Sequence, residues 1–226
     1  MATIYTIGHS TRTLDELVTA LKAHGIRTLV DIRSFPMSRR LPHFSRESLE
    51  VELPRHGIAY FWRKELGGRR KKVRDDSPNT GLRSAGFRNY ADYMLTEEFA
   101  RGIERLLAIA QSQGANTSTS SGQALGHRWL EIGQQAAGPS TAFGPALQDL
   151  TPLGMTNVGS GGNTAIMCAE RLYFKCHRML VSDYLTAHGH TVLHIDDENH
   201  PPREHTLMAG ARLLDGKLVY NAQQLF

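Results

Sequence analysis

Apolar positions along the chain follow two alternating periods. Ile4 and Ile7, with their neighbours, make a short apolar run that stops at Gly8-His9-Ser10, the pattern of a buried strand. Thr13-Leu14-Asp15-Glu16 then has the form of a capping box, and Leu14, Leu17 and Leu21 recur at helical spacing until Gly25. Residues 27–33, with Leu29, Val30 and Ile32, predict a second strand. A strand, helix, strand order with short links argues a parallel βαβ unit.

The same alternation continues. Ser45 caps a predicted helix running to His56, and Ile58 to Trp62 reads as another strand. Phe87, Tyr90 and Tyr93-Met94 enter two helical segments, the second from Glu97 to about Gln111 with Phe99, Ile103, Leu106 and Leu107 on one face. Across residues 111–163 charged side chains almost vanish, Gly, Ser, Thr, Gln and Ala dominate, and only Trp129 to Ala137 is periodic. A stretch of that length without core periodicity is read as an insertion or mobile surface excursion, not as part of the packed domain. The core pattern resumes at Thr164-Ala165-Ile166-Met167-Cys168, a strand, followed by a helix with Met179, Leu180, Tyr184 and Leu185 on one face that opens on Cys176-His177-Arg178 and stops near Gly189. Thr191 to Ile195 is a further strand, a short helix is expected near His205 to Arg212, and Leu218-Val219-Tyr220 closes the chain as a strand. The expectation is a single domain over residues 1–226: a three-layer α/β sandwich around a mainly parallel sheet, with a long low-charge insertion.

Composition narrows the setting. A chain of 226 residues can bury one sizeable core. No apolar run is long enough to span a bilayer and the first residues read as a strand, so a cytoplasmic protein with no membrane partner is expected. Two cysteines do not make a disulfide framework; in a reducing compartment they are buried, catalytic or metal-binding. The formal net charge of +4 favours an anionic substrate, nucleic acid included. Oligomeric state is not legible.

If the sheet is parallel, His9, Asp31, Arg33 and Cys168 gather on its carboxyl edge, where open α/β sheets place their chemistry. Three readings fit that gathering. In the first, Cys168 is a nucleophile, its thiol pKa lowered by a helix N-terminus and by His177, Arg178 or His9, so that the protein is a cysteine-dependent transferase or hydrolase; Glu170 would oppose that lowering. In the second, Cys168, Cys176 and His177 bind zinc or iron, with His9 as a fourth ligand, although the spacing is not one of the tight ligand spacings and no cofactor is predicted outright. In the third, both cysteines are small buried hydrophobes. Asp31 and Glu170 are acid–base candidates beside His9 and His177. Arg33, Ser38, Arg39, Arg178 and Ser10 form an anion-binding candidate set, because guanidinium groups suit bidentate contact with phosphate or carboxylate. His43 and His194 read as core or supporting histidines.

A basic run, Arg69-Arg70-Lys71-Lys72-Val73-Arg74, follows Gly67-Gly68. It is either a solvated loop or a phosphate-facing patch, and it supports an alternative from another class, a non-catalytic nucleic-acid-binding module built on Arg69, Arg70, Lys71, Lys72 and Arg74 together with Arg39-Arg40.

Several blocks also carry a resemblance. Tyr5-Thr6-Ile7-Gly8-His9-Ser10, Val30-Asp31-Ile32-Arg33-Ser34-Phe35-Pro36 with Ser38 and Arg39, Leu66-Gly67-Gly68, Gly86-Phe87 with Tyr90, and Met167-Cys168-Ala169-Glu170 followed by Cys176-His177-Arg178 resemble the domain of unknown function 488 family. The likeness covers residues 1 to about 110 and 164 to about 200, and residues 111–163 depart from the family pattern, in which the helix leads almost directly to the cysteine strand. It implies a compact bacterial or archaeal α/β domain and no established reaction. Asp31-Ile32-Arg33 with a strand-ending cysteine also looks faintly like rhodanese-type sulfurtransferases and cysteine phosphatases. The Cys-x5-Arg loop of those enzymes is missing here, since Cys168 is followed by Ala169-Glu170-Arg171-Leu172-Tyr173-Phe174.

Overall fold

A computed structural model of the chain describes residues 1–37, 39–114 and 162–221. The elements fall in the order β1 (Thr3–Gly8), α1 (Leu14–Ala23), β2 (Ile26–Asp31), α2 (Arg46–Arg55), β3 (Ala59–Trp62), α3 (Ala85–Tyr93), α4 (Glu97–Gly114), β4 (Asn163–Cys168), α5 (Arg178–Ala187), β5 (Thr191–His194), β6 (Arg203–Glu204), β7 (Ala211–Leu214) and β8 (Lys217–Tyr220). The first six strands make one sheet in the order β3-β2-β4-β1-β5-β6, and β7 and β8 form a separate hairpin. All pairings inside the large sheet are parallel except β5 with β6. This is the expected mainly parallel α/β architecture.

The period-two alternation of strand side chains divides the core into two layers. Ile4, Val30 and Ile166 point to one face, against Tyr90, Phe99, Leu106 and Leu180 of α3, α4 and α5. Ile7, Leu29, Ala165 and Met167 point to the other, against Leu17, Leu21, Leu49 and Leu53 of α1 and α2. Strands covered on both faces read as continuous apolar runs, as β4 does.

Local signals agree with this packing. Thr13 and Glu16 form the reciprocal capping box, at 3.2 and 2.7 Å, and the Ser45 hydroxyl accepts the Ser48 amide at 3.2 Å. A cap of this kind contributes about 1 kcal/mol, whereas each fully buried leucine of α1 contributes roughly 1.5–3 kcal/mol, so packing holds the helix and the cap sets where it begins.

Three expectations are corrected. Residues 205–212 form no helix: after the short β6 the chain runs irregularly into β7, because Asp215 and Gly216, both at positive φ (49° and 74°), turn it into a hairpin. The helix expected to stop near Gln111 extends to Gly114 and β4 begins at Asn163, so the boundaries drawn at 111 and 163 fall inside regular elements; residues 115–161, with the Trp129–Ala137 segment, lie outside the described residues. Cys176 and His177 precede the last helix of the domain rather than opening it, since α5 starts at Arg178 and Cys176 is extended. Among the described residues no helix is long and apolar enough to cross a membrane.

Candidate functional site

The strand order creates one point where connections diverge. From β1 the chain leaves through α1 on one face towards β2; from β4 it leaves through α5 on the other face towards β5. β1 and β4 are neighbours, so their carboxyl ends form the switch point of the sheet, the general location of ligand sites in open α/β sheets. Gly8 is in register with Cys168, the His9 amide donates to the Cys168 carbonyl at 3.0 Å, and the Ile32 amide donates to the Met167 carbonyl at 3.0 Å. His9, Asp31, Arg33 and Cys168 therefore do meet at this edge. A side chain at Gly8 would overlap the Glu170 carbonyl, so the turn after β4 crosses β1 only because position 8 is glycine.

On the α5 side of the sheet Cys168, Cys176 and His177 converge, with one donor atom from each lying within 4.8 Å of the others. All three are buried, at 8, 5 and 8% exposure. His177 Nδ1 is 3.8 Å from Cys168 Sγ and 3.4 Å from Cys176 Sγ, while Nε2 is 3.0 Å from the Ile32 carbonyl oxygen. A carbonyl only accepts, so Nε2 carries a ring hydrogen, and Nδ1 is the ring atom that faces the two sulfurs.

The two thiols differ in acidity, and in the opposite sense from the sequence expectation. Cys176 is lowered to about 7, chiefly because the Cys168 thiol donates to it, with the Arg178 charge and the Arg178 amide (3.5 Å) adding to the effect. Cys168 is raised to about 12, because a thiolate there would face the Cys176 sulfur and because it is buried. The easily formed thiolate is thus Cys176. The acidifying Arg178 groups sit at the start of α5, two residues from Cys176, and not at the end of the strand that carries Cys168.

On the opposite face the remaining candidates are bound to one another. The Asp31 carboxylate accepts from the Arg33 amide (3.0 Å), from Arg33 Nε (2.9 Å) and Nη2 (2.5 Å), and from the Tyr60 hydroxyl (2.7 Å). Arg33 Nη1 reaches His9 Nε2 at 3.2 Å, and His9 Nδ1 donates to the Ser10 carbonyl at 2.9 Å. Burial, with the Arg33 charge, lowers His9 to about 4, so it is a neutral ring with both nitrogens occupied. His9 stacks on Phe44 with ring centroids 4.2 Å apart. It does not belong to the Cys168, Cys176 and His177 cluster, contrary to the expectation that it supplies a fourth ligand.

The arginines also divide. Arg178 is 1% exposed, and its guanidinium donates to Thr6 Oγ1 and to the Glu170 and Arg171 carbonyls, pinning the turn after β4. Arg33 is held by Asp31. Neither presents a free fork to an anion, whereas Arg39 is exposed; Ser38 lies outside the described residues. Ser10 sits at the turn after β1 at positive φ (51°), its amide donating to the Ala169 carbonyl. Glu170 is exposed.

Two groups named from the sequence were not placed at this site by it. A Cβ on Gly68 would lie 2.5 Å from His177 Cγ, so the Gly67-Gly68 strap lies directly on the imidazole. Tyr90 packs edge-on to His177, centroids 5.2 Å apart, and its hydroxyl donates to the Leu66 carbonyl at 2.7 Å. The glycine pair was the available signal, read there as an anion loop. The basic run belongs to the same strap: Arg70 donates to the Lys64, Glu65 and Gly67 carbonyls and lies over the Tyr93 ring, Lys72 pairs with Asp75 and Arg74 with Asp76, while Arg69 and Lys71 are exposed.

Fold and site together define a three-layer α/β protein with a buried dithiol–imidazole cluster at the switch point of a mainly parallel sheet. The model of the family described as "Domain of unknown function DUF488" matches residues 13–120, and over that stretch the chain is similar to that family. The blocks around Gly8 and Cys168 lie outside the matched stretch. No curated protein and no solved structure matches the chain.

Proposed function

We propose that the chain is a metal-dependent enzyme whose Cys168, Cys176 and His177 hold one thiophilic divalent cation, zinc or iron. The observation that carries this reading is the orientation of His177. Its Nε2–H is committed to a backbone carbonyl and its Nδ1 faces two sulfurs, the arrangement in which an outer hydrogen bond fixes the tautomer of a metal-ligating imidazole. Two thiolates and an imidazole suit zinc or iron, and three protein ligands leave a position for water or a substrate oxygen, the ligand count of catalytic sites. A metal at that position would act as a Lewis acid or lower the pKa of bound water, and the carboxyl edge of β1 and β4 is where a substrate would meet it.

A sulfur nucleophile acting on a phosphorylated substrate is supported less well, because Arg33 and Arg178 are both committed inside the protein. The non-catalytic nucleic-acid-binding module built on residues 69–74 is likewise weakened, since Arg70, Lys72 and Arg74 already have intramolecular partners.

Elemental analysis of protein produced in zinc- and iron-supplemented medium tests the proposal. One equivalent of metal per chain is expected, lost in Cys176→Ala and in His177→Ala while the circular dichroism of the fold is retained. Wild-type protein that is isolated metal-free and takes up neither zinc nor ferrous iron at micromolar concentration would overturn it.

A further inference from the structure

We infer that the loops at the carboxyl edge of β2 and β4 are a binding surface for single-stranded nucleic acid, with bases stacking on Phe35 and Phe174 and phosphates meeting Arg39 and Arg40. Among the described residues most aromatic side chains are buried or half-buried. Of the strongly exposed large hydrophobic groups among the described residues the two aromatic ones are Phe35, at 64%, and Phe174, at 45%, with Met37 at 78% beside the first. Phe35 stands four residues beyond the end of β2 and Phe174 six beyond the end of β4. These strands are hydrogen-bonded neighbours, so the two loops leave the same edge of the sheet from points about 4.8 Å apart. His177 and the two cysteines lie at that edge.

Charge selects the partner. Between Asp31 and Glu47 the chain carries Arg33, Arg39, Arg40 and Arg46 and no acid. Arg33 is turned inward, but Arg39 and Arg40 are exposed, as is Lys175 next to Phe174. Exposed aromatic faces interleaved with unpaired cations match a polyanion whose bases are free to stack, which describes a single strand and not a duplex, whose bases are already stacked on one another. The residues differ from the basic run at 69–74, whose cations are largely spent within the strap. Calling the bound strand a substrate rests on the metal-centre reading above; the binding itself does not.

Fluorescence anisotropy with a labelled twelve-nucleotide oligo-dT and the matching oligo-rU tests this on the full chain. The wild type is expected to bind one or both at low salt, and the corresponding duplex about tenfold more weakly or less. Phe35→Ala with Phe174→Ala should weaken binding about tenfold or more. Arg39→Glu with Arg40→Glu should weaken it further and flatten the dependence of log K on log salt by about 1.4 for two lost phosphate contacts. Reversal of Arg69 and Lys71 should leave it within about twofold. Since all these side chains are exposed, unchanged circular dichroism separates lost contacts from lost fold. The inference fails if neither strand binds, if the phenylalanine pair is without effect, if the duplex binds as tightly, or if the protein binds vesicles containing phosphatidylglycerol and no oligonucleotide. Metal content measured on the same samples keeps the two proposals apart: metal-loaded protein that ignores oligonucleotides overturns only this one, and His177→Ala that loses metal but still binds the strand leaves it standing.

Discussion

Two buried polar clusters flank β1 and β4 in this protein, and they are built to different ends. Beyond Thr6 a chain of hydrogen bonds runs from a cation to an anion. Arg178 donates to Thr6 Oγ1 (3.3 Å), the Thr6 hydroxyl to His194 Nδ1 (2.8 Å), His194 Nε2 to His205 Nδ1 (2.9 Å), and His205 Nε2 to the Asp183 carboxylate (2.9 Å). The Tyr220 hydroxyl and the Met208 amide take the remaining Asp183 acceptor sites. Every ring nitrogen and carboxylate oxygen in that chain is used, and Tyr173 seals His194 by stacking at 3.5 Å. In the cluster of Cys168, Cys176 and His177 the burial is similar, but the donor atoms point at one another. Burial alone therefore does not distinguish a site from a strut; whether the valences are spent does.

The largest effect that would break this comparison is on stability. Removing Asp183 leaves His205, Tyr220 and the Met208 amide unpaired and strips the buried chain of its anion, so Asp183→Ala is expected to cost about 3–5 kcal/mol. Cys168→Ala in metal-free protein removes only a sulfur and should cost about 1 kcal/mol. Urea unfolding of the two variants beside the wild type measures both. Equal losses would mean that the thiol cluster is as structural as the histidine chain, and the distinction would collapse.

The second effect is a pH dependence confined to the closed chain and the His9 network. Burial, with the neighbouring His205 and Arg178, lowers His194 from 6.5 to about 3, and burial with the Arg33 charge lowers His9 from 6.5 to about 4. The unfolded chain binds these protons more readily than the folded one. The stability they contribute is therefore complete above pH 6.5 and is lost as pH falls from there towards 4 and 3. His194→Gln, which keeps hydrogen-bonding groups but cannot charge, should flatten the wild-type decline between pH 6.5 and 4 by roughly 2–3 kcal/mol. Unfolding midpoints measured across that range give the answer, and an unchanged slope would show that His194 takes up its proton as easily inside the fold as outside it.

These two clusters were not equally legible beforehand. The parallel sheet and the gathering of His9, Asp31, Arg33 and Cys168 follow from local patterns: an apolar run ending in a polar residue, a capping box at Thr13, a cap at Ser45. Cys176 and His177 were within reach because they lie nine residues or fewer from Cys168. The closed chain was not, since Thr6 inside β1, Asp183 in α5, His194 at the end of β5 and His205 just after β6 come from separate elements, and no sequence spacing links Thr6 to the others. Its absence from the reading also explains why Arg178 was expected to face an anion when its guanidinium instead starts that chain. The helix expected at residues 205–212 failed for a different reason: the Asp215-Gly216 pair is a strong hairpin signal, and it outweighs the few apolar positions that suggested a helical turn. Which thiol is acidic was likewise out of reach, because it depends on whether α5 begins at Cys176 or two residues later.

The smallest expected effect sharpens the comparison inside the thiol cluster itself. In metal-free, reduced protein, Cys176 titrates near 7 and Cys168 near 12, so thiolate absorbance in the ultraviolet should rise by one thiol's worth around pH 7 and show no second step below pH 10. Cys176→Ser should abolish the step near pH 7 and, by removing the sulfur that faces it, let Cys168 titrate closer to an ordinary thiol. Cys168→Ser keeps a hydroxyl to donate to Cys176, so the low step should persist there. The reverse pattern, with the step surviving Cys176→Ser and vanishing with Cys168→Ser, would return the reactive thiolate to the end of β4. Addition of zinc to the wild type should then release about two protons near pH 6, one from each thiol, and only about one above pH 7, from the Cys168 thiol alone, because Cys176 has already given up its own.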